Sequence, residues 1–281
     1  MDITEKALLV KLSISQWTAR KYDPTATDEV IANHHASKDA GRFNKSLVDL
    51  DAVKTYQKAA NEARTFHYKN TLPWGDDESR ILPSANYLPY MEKMRKLKSD
   101  FEDATREFID QYPGLIRDAE RSLNGLFNPR DYPDQRQLTG KFNFAVYPAP
   151  LPDAGDFRVT LSQDEADRIR DEITSRTQEY IRDAIRDAWN RLRDAISHLE
   201  DKLKDKDAIF RDSLVGNVRE LCEILPRLNV TGDPDLAQVI DEAAATVARY
   251  DPEDLRNDPG DREAAVTAAR DILKKIDGYR I

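Results

Sequence analysis

Apolar residues at Ile181, Ile185, Ala188, Leu192, Ala195, Leu199 and Leu203 recur with a 4-3-4-3-4-4 spacing. That rhythm is close to the heptad of a helix seeking a partner helix. With Ser162 and Glu165 in the S-x-x-E order of a capping box, it predicts one uninterrupted helix from Ser162 to about Lys206. At ~1.5 Å rise per residue such a helix spans roughly 65 Å, about twice the width of a small domain. Rods of that length suit scaffolds, spacers and assembly subunits. Within it, Asp187 with Arg191 and Glu200 with Lys204 are correctly ordered i,i+4 pairs that support a helix and specify no chemistry.

Elsewhere the pattern alternates between two periods. Val10, Leu12 and Ile14 alternate with Lys11, Ser13 and Ser15, which predicts a half-buried strand closed by Trp17. A short helix is expected from about Thr27 to Ser37, and a second from Ser46 or Leu47 to about Tyr68 with Val53, Tyr56 and Ala60 on one face. The run from Asn70 to Pro89, rich in Pro and aromatics, reads as irregular. A long helix then starts near Leu88 or Pro89, with the stripe Met91, Met94, Leu97, Phe101, Ala104, Phe108 and Tyr112. Pro113-Gly114 should kink or restart it before it ends at Asn128-Pro129. Strands are expected at Phe142–Tyr147 and Phe157–Leu161. Beyond Lys206, the stripe Leu214, Val218, Leu221, Leu225 halts at Pro226. Asp233-Pro234 and Asp258-Pro259 open two further helices, the last stopping at Gly278.

These elements imply a mostly helical α+β fold with a small antiparallel sheet, a long antiparallel helical hairpin or coiled coil, and a C-terminal helical bundle. The hairpin legs would be Leu88–Phe127 and Ser162–Lys206, so that Ile185, Leu192 and Leu199 meet Leu97, Phe101 and Phe108 or a symmetry mate. The chain then divides into an α+β region at 1–161, the heptad-like helix at 162–206 and a bundle at 207–281. Trp189 stands just outside the narrow seam, where an intramolecular partner alone would not cover it. Ile185, Trp189, Leu192 and Leu199 thus form a candidate interaction stripe for a homo-oligomer or another protein.

Composition narrows the chemistry. Charged residues make up 34% and apolar ones 40%, and the mean hydropathy of −0.72 suits helices with one wet face. No stretch approaches 18 apolar residues, and the N-terminus lacks the basic flank and cleavage site of a signal peptide, so a soluble cytoplasmic protein without a membrane partner is expected. The net charge of −9 is uneven: residues 1–100 hold 16 Lys/Arg against 14 Asp/Glu, leaving the remainder strongly acidic. Any nucleic-acid contact would have to come from the first third.

Nothing in the sequence matches a phosphate-cradling loop, a dinucleotide fingerprint or a nucleophile elbow. Cys222 lies on the Leu221–Leu225 stripe, as a structural thiol would. His34, His35, His67 and His198 have no metal-ligand spacing. No catalytic residue, cofactor or metal is therefore expected. One constellation remains: Arg42, Lys45, Arg64, His67, Lys69 and Arg80, interleaved with Phe43, Phe66, Tyr68 and Trp74. Basic groups beside rings hold single-stranded nucleic acid or a phosphorylated ligand. The favoured reading is that Trp74 and Phe66 are core, with Arg64 and His67 bonding loop carbonyls left over by Pro73 and Pro83.

Leu12-Ser13-Ile14-Ser15-Gln16-Trp17-Thr18-Ala19-Arg20-Lys21, Asn44-Lys45, Thr71-Leu72-Pro73-Trp74, Arg80-Ile81-Leu82-Pro83, Asp131-Tyr132-Pro133 and Phe157-Arg158-Val159 resemble an uncharacterised protein family of tailed bacteriophages and prophages. The resemblance covers about residues 8–205 and brings no catalytic residues, since the family is a domain of unknown function. It implies a phage-encoded protein acting in the host cell cytoplasm, accessory to an AAA+ ATPase. The expected function is a non-enzymatic interaction or assembly protein working through its rod. The alternative is a nucleic-acid-binding accessory factor using the basic aromatic region 42–80.

Overall fold

The computed structural model describes residues 3–75, 78–156, 159, 161–205 and 208–279. In chain order the elements are β1 (Ala7–Ser15), β2 (Arg20–Tyr22), α1 (Pro24–Asn33), β3 (Asn44–Ser46), α2 (Leu50–Lys69), β4 (Leu72–Pro73) and β5 (Ser79–Pro83). There follow α3 (Ser84–Leu123), α4 (Gln135–Thr139), β6 (Asn143–Ala149) and α5 (Gln163–Lys204). The chain closes with α6 (Ser213–Leu228), α7 (Pro234–Thr246), α8 (Asp254–Asn257) and α9 (Pro259–Gly278). The fold is mostly helical α+β, with a four-stranded sheet in the order β4-β5-β1-β6 and a separate two-stranded ribbon, β2-β3.

The chain divides into two compact units, each built from separated segments: 1–11, 68–90 and 147–281 form the first, and 12–67 with 91–146 the second. Charge divides with them. The second unit carries 18 Lys/Arg against 17 Asp/Glu and the first 25 against 35.

In the first unit, β1 pairs antiparallel with β5, Leu9 opposite Ile81, and β4 adds Leu72 opposite Ile81 on the other edge. The Pro-rich run read as irregular therefore supplies two strands. Pro73 and Pro83 occupy strand-terminal positions, where a missing N–H costs least. The expected strand Phe157–Leu161 falls largely outside the described residues. Val159 and Leu161, which are described, are non-strand and exposed.

α5 is 42 residues long. Ser162 is its N-cap, but the side chain makes no capping bond, so the expected box does not close. Of the seam the heptad predicts, Ala188, Leu192, Leu199 and Leu203 are at 1% exposure or less, while Ile181, Ile185 and Ala195 are half-buried and Ile196, outside the predicted stripe, is fully buried. The partner of α5 differs from the one expected. Arg262 donates to the Leu203 carbonyl at 2.8 Å, Arg270 pairs with Glu200 at 2.9 Å and Arg193 with Asp277 at 3.0 Å. Those contacts run in opposite chain directions, so α5 and α9 are an antiparallel pair, with α6 and α7 in the same core. Ala184 and Ala188 of α5 and Ala265 and Ala269 of α9 are all buried in this core. A heptad states that a helix needs a partner and leaves open which helix supplies it.

In the second unit Trp17, Tyr56, Phe101, Phe108, Tyr112, Phe142 and Phe144 form one aromatic core, with ring centres 5.1–6.4 Å apart. Phe101 and Phe108, expected against α5, are committed here. Tyr56 donates its hydroxyl to the Trp17 carbonyl at 2.8 Å, giving the buried phenol a partner. α3 continues through Pro113 as one helix, although Pro113 removes one helical N–H; Phe108 and Tyr112 before it and Ala119 after it are buried. α6 likewise passes Pro226 and ends at Leu228.

Candidate functional site

The basic aromatic constellation is not one site. Arg64 and His67 belong to the second unit, Lys69, Trp74 and Arg80 to the first. Arg64 donates to the Ile14 carbonyl at 3.1 Å and to Asn61 at 3.2 Å. His67 is buried on the face of α2 that carries Val53, Tyr56 and Ala60. Lys45 is buried, with its ammonium 2.8 Å from Asp23, 2.9 Å from Asp131 and 2.8 Å from the Leu126 carbonyl. Burial alone would lower the Lys45 ammonium, but the two carboxylates outweigh it and raise it above its ordinary value. Arg42 alone of the set is exposed and unpaired among the described residues, its guanidinium 5.9 Å from the Tyr22 ring centre.

In the first unit, Arg80 and Arg191 converge on one carbonyl. Arg80 donates to Thr71 Oγ1 at 2.7 Å and to the Thr71 carbonyl at 3.2 Å, and Arg191 donates to that same carbonyl at 2.8 Å. Arg191 also reaches the Lys69 carbonyl at 3.0 Å and Asp187 at 2.8 Å. Arg80 lies 4.8 Å over the Tyr68 ring. Burial first, and then the like charge of Arg191, lower the Arg80 guanidinium from its ordinary value. Trp74 is buried edge-on to Tyr180, ring centres 5.0 Å apart. These arginines tie down the turn between α2 and β4, the carbonyl-clamping role that the sequence left open.

The interaction stripe is occupied within the chain. Trp189, Leu192 and Leu199 are interior to the first unit, and Ile185 is half-buried against the same core. Trp189 donates Nε1–H to Asp233 at 3.2 Å and packs at a tilt against Tyr279, ring centres 5.1 Å apart. The N-cap residue of α7 and the end of α9 thus supply the cover that a second copy was expected to provide. Cys222 is half-buried, and burial, with Asp241 and Glu223 adding, pushes its thiol up to about 11.

What the first unit does present is a groove of about 610 Å³ along α5 and α6. Ala195, Leu214, Leu221 and Ile224 form its apolar wall, and Tyr68, 56% exposed, stands at one end. Lys69 pairs with Glu220 at 2.7 Å on its edge. Asp194, His198 and Asn217 line it, and their side chains make no hydrogen bond or ion pair among the described residues. Sequence reasoning missed it because a groove between α5 and α6 is a long-range relationship, and Asp194 and His198 read there only as polar positions on a helix. No group of three or more His, Cys, Asp or Glu among the described residues is arranged to hold a metal, and no described helix is long and apolar enough to cross a membrane.

Comparison with protein-family models, with curated proteins and with solved structures finds no match to this chain.

Proposed function

We propose that the chain is a non-enzymatic interaction or assembly protein that receives a partner in the groove along α5 and α6. The single observation supporting this is the groove's make-up: a half-apolar trough on two packed helices, edged by an ion pair and by polar side chains left without partners. Its volume lies in the range of a ligand pocket, and its open, helix-walled form suits an amphipathic segment of another protein. The long helix thereby contributes a wall to the binding surface, while its apolar seam serves the chain's own core. A phage origin and an AAA+ ATPase as the partner rest on the family resemblance of residues 8–205.

Replacing the exposed Asn217 with a photo-crosslinking phenylalanine tests the reading. The expected result is a discrete protein adduct that disappears when Leu221→Glu is added to a chain that still melts cooperatively. Absence of any adduct, or one indifferent to Leu221→Glu, would sink the proposal.

A further inference from the structure

A second surface lies on the β2-β3 ribbon of the second unit. Its register places Arg20 opposite Ser46, Lys21 opposite Lys45 and Tyr22 opposite Asn44. The ladder continues one step further, because the Asp23 amide donates to the Phe43 carbonyl at 3.0 Å. Opposite residues of an antiparallel pair share a face, and successive residues alternate. Lys21, Asp23, Phe43 and Lys45 therefore share one face, where Lys45 and Asp23 form their ion pair. Arg20, Tyr22, Arg42 and Asn44 share the other, and all four are exposed, Tyr22 by 44%. The Arg42 guanidinium, 5.9 Å from the Tyr22 ring centre, confirms that the two side chains meet there. Arg20, Lys21 and Arg42 form no ion pair among the described residues. The nearest acids in sequence are Asp28 and Glu29 on α1 and Asp39 after it, while Asp23 is tied to Lys45.

We infer that this face binds single-stranded nucleic acid, one base stacking on Tyr22 while Arg20 and Arg42 hold the flanking phosphates. An exposed ring with the Arg42 guanidinium against it and Arg20 two residues away on the same face combines the two elements that sequence-tolerant single-strand binding uses, a stacking platform and a cationic track. Charge complementarity favours the assignment: on this face a polyanion meets Arg20 and Arg42, neither in an ion pair among the described residues, on a unit with no net acidic burden and a chain whose other unit is strongly acidic. This site is distinct from the groove on α5 and α6, and either can fail without the other.

The test is fluorescence anisotropy of the full chain with a labelled twelve-residue oligothymidylate at low salt. Tyr22→Ala should weaken binding about tenfold or more, as loss of one base stack does. Arg20→Ala with Arg42→Ala should reduce the slope of log K against log salt by about 1.4, the expectation for two phosphates on a single strand. All three side chains are exposed, so each variant should melt like the parent, and circular dichroism checks that. Three results would overturn the inference: no binding at low salt, Tyr22→Ala binding like the parent, or duplex DNA or polyglutamate competing as well as the single strand. The last would assign the face to general polyanion or acidic-protein adsorption.

Discussion

Asp23 works in two directions: Oδ1 accepts the Ala26 amide at 3.1 Å and caps α1, while Oδ2 holds the Lys45 ammonium at 2.8 Å. One carboxylate thereby joins a helix start to a strand, and Lys45 extends the join to Asp131 and the Leu126 carbonyl. Removing Lys45 strands two carboxylates. Lys45→Met should therefore destabilise the protein by on the order of 3 kcal/mol, as for one partner of a buried ion pair. Thermal melting at pH 7 checks the size.

The same network sets a pH window. Asp23, held first by Lys45 and then by the Ala26 amide, lies below its ordinary 3.8. Its contribution is present above 3.8 and is lost as the pH falls through the lowered folded value. Lys45 is raised above its ordinary 10.5, so its share is complete below 10.5 and is lost as the pH rises through the raised value. Lys45→Met should flatten both limbs of a plot of melting midpoint against pH. An acid limb as steep as the parent's would show that the pair does not act as described.

Leu192 is fully buried in the α5–α9 core. Leu192→Ala should cost about 2–5 kcal/mol, the transfer term plus the cavity. Ile185→Ala, at a half-buried position, should cost less. Denaturant unfolding of both variants decides it, and equal costs would mean that the seam is not buried as observed.

Gly75 has φ +56, and a Cβ placed on it would lie 2.7 Å from the Tyr180 ring. Gly75→Ala must both strain the backbone and push Tyr180 off Trp74. The strain alone is worth about 1–2 kcal/mol. Near-ultraviolet circular dichroism should register the displaced Trp74–Tyr180 pair even where the melting point falls only a few degrees. An unaltered aromatic signal would argue against this packing.

With its thiol pushed up to about 11, Cys222 should react with an aromatic disulfide reagent far more slowly than a free thiol at pH 7. Its rate should climb as the pH approaches that value. Rapid labelling at neutral pH would mean that the side chain is more accessible than its packing indicates.

Periodicity made the helices legible. Asp233-Pro234 and Asp258-Pro259 open α7 and α9 as their cap chemistry requires, and Val53, Tyr56 and Ala60 face the core. β4 and β5 were not legible: a two-residue and a five-residue strand are too short for alternation to register. Partner choice was hidden for a different reason. Trp189 looks unpaired along its own helix because Asp233 and Tyr279 arrive from 44 and 90 residues away. Within the site, a carbonyl-bonding role for Arg64 could be expected, but its acceptor, the Ile14 carbonyl, lies in β1 rather than beside Pro73 or Pro83. Arg191, which shares the Thr71 carbonyl, gave no signal beyond its i,i+4 pair with Asp187.

The interleaving of the two units has a consequence for synthesis. Translation delivers every residue of the second unit by position 146, so its aromatic core can begin to pack while the chain is still growing. Residues 1–11 and 68–90, made early, must wait for α5, α6, α7 and α9 before the first unit's core exists. For well over half of translation, Leu9, Leu72 and Ile81 therefore have no finished interior to enter. A nascent chain stalled between residues 146 and 279 should be the form most dependent on chaperones.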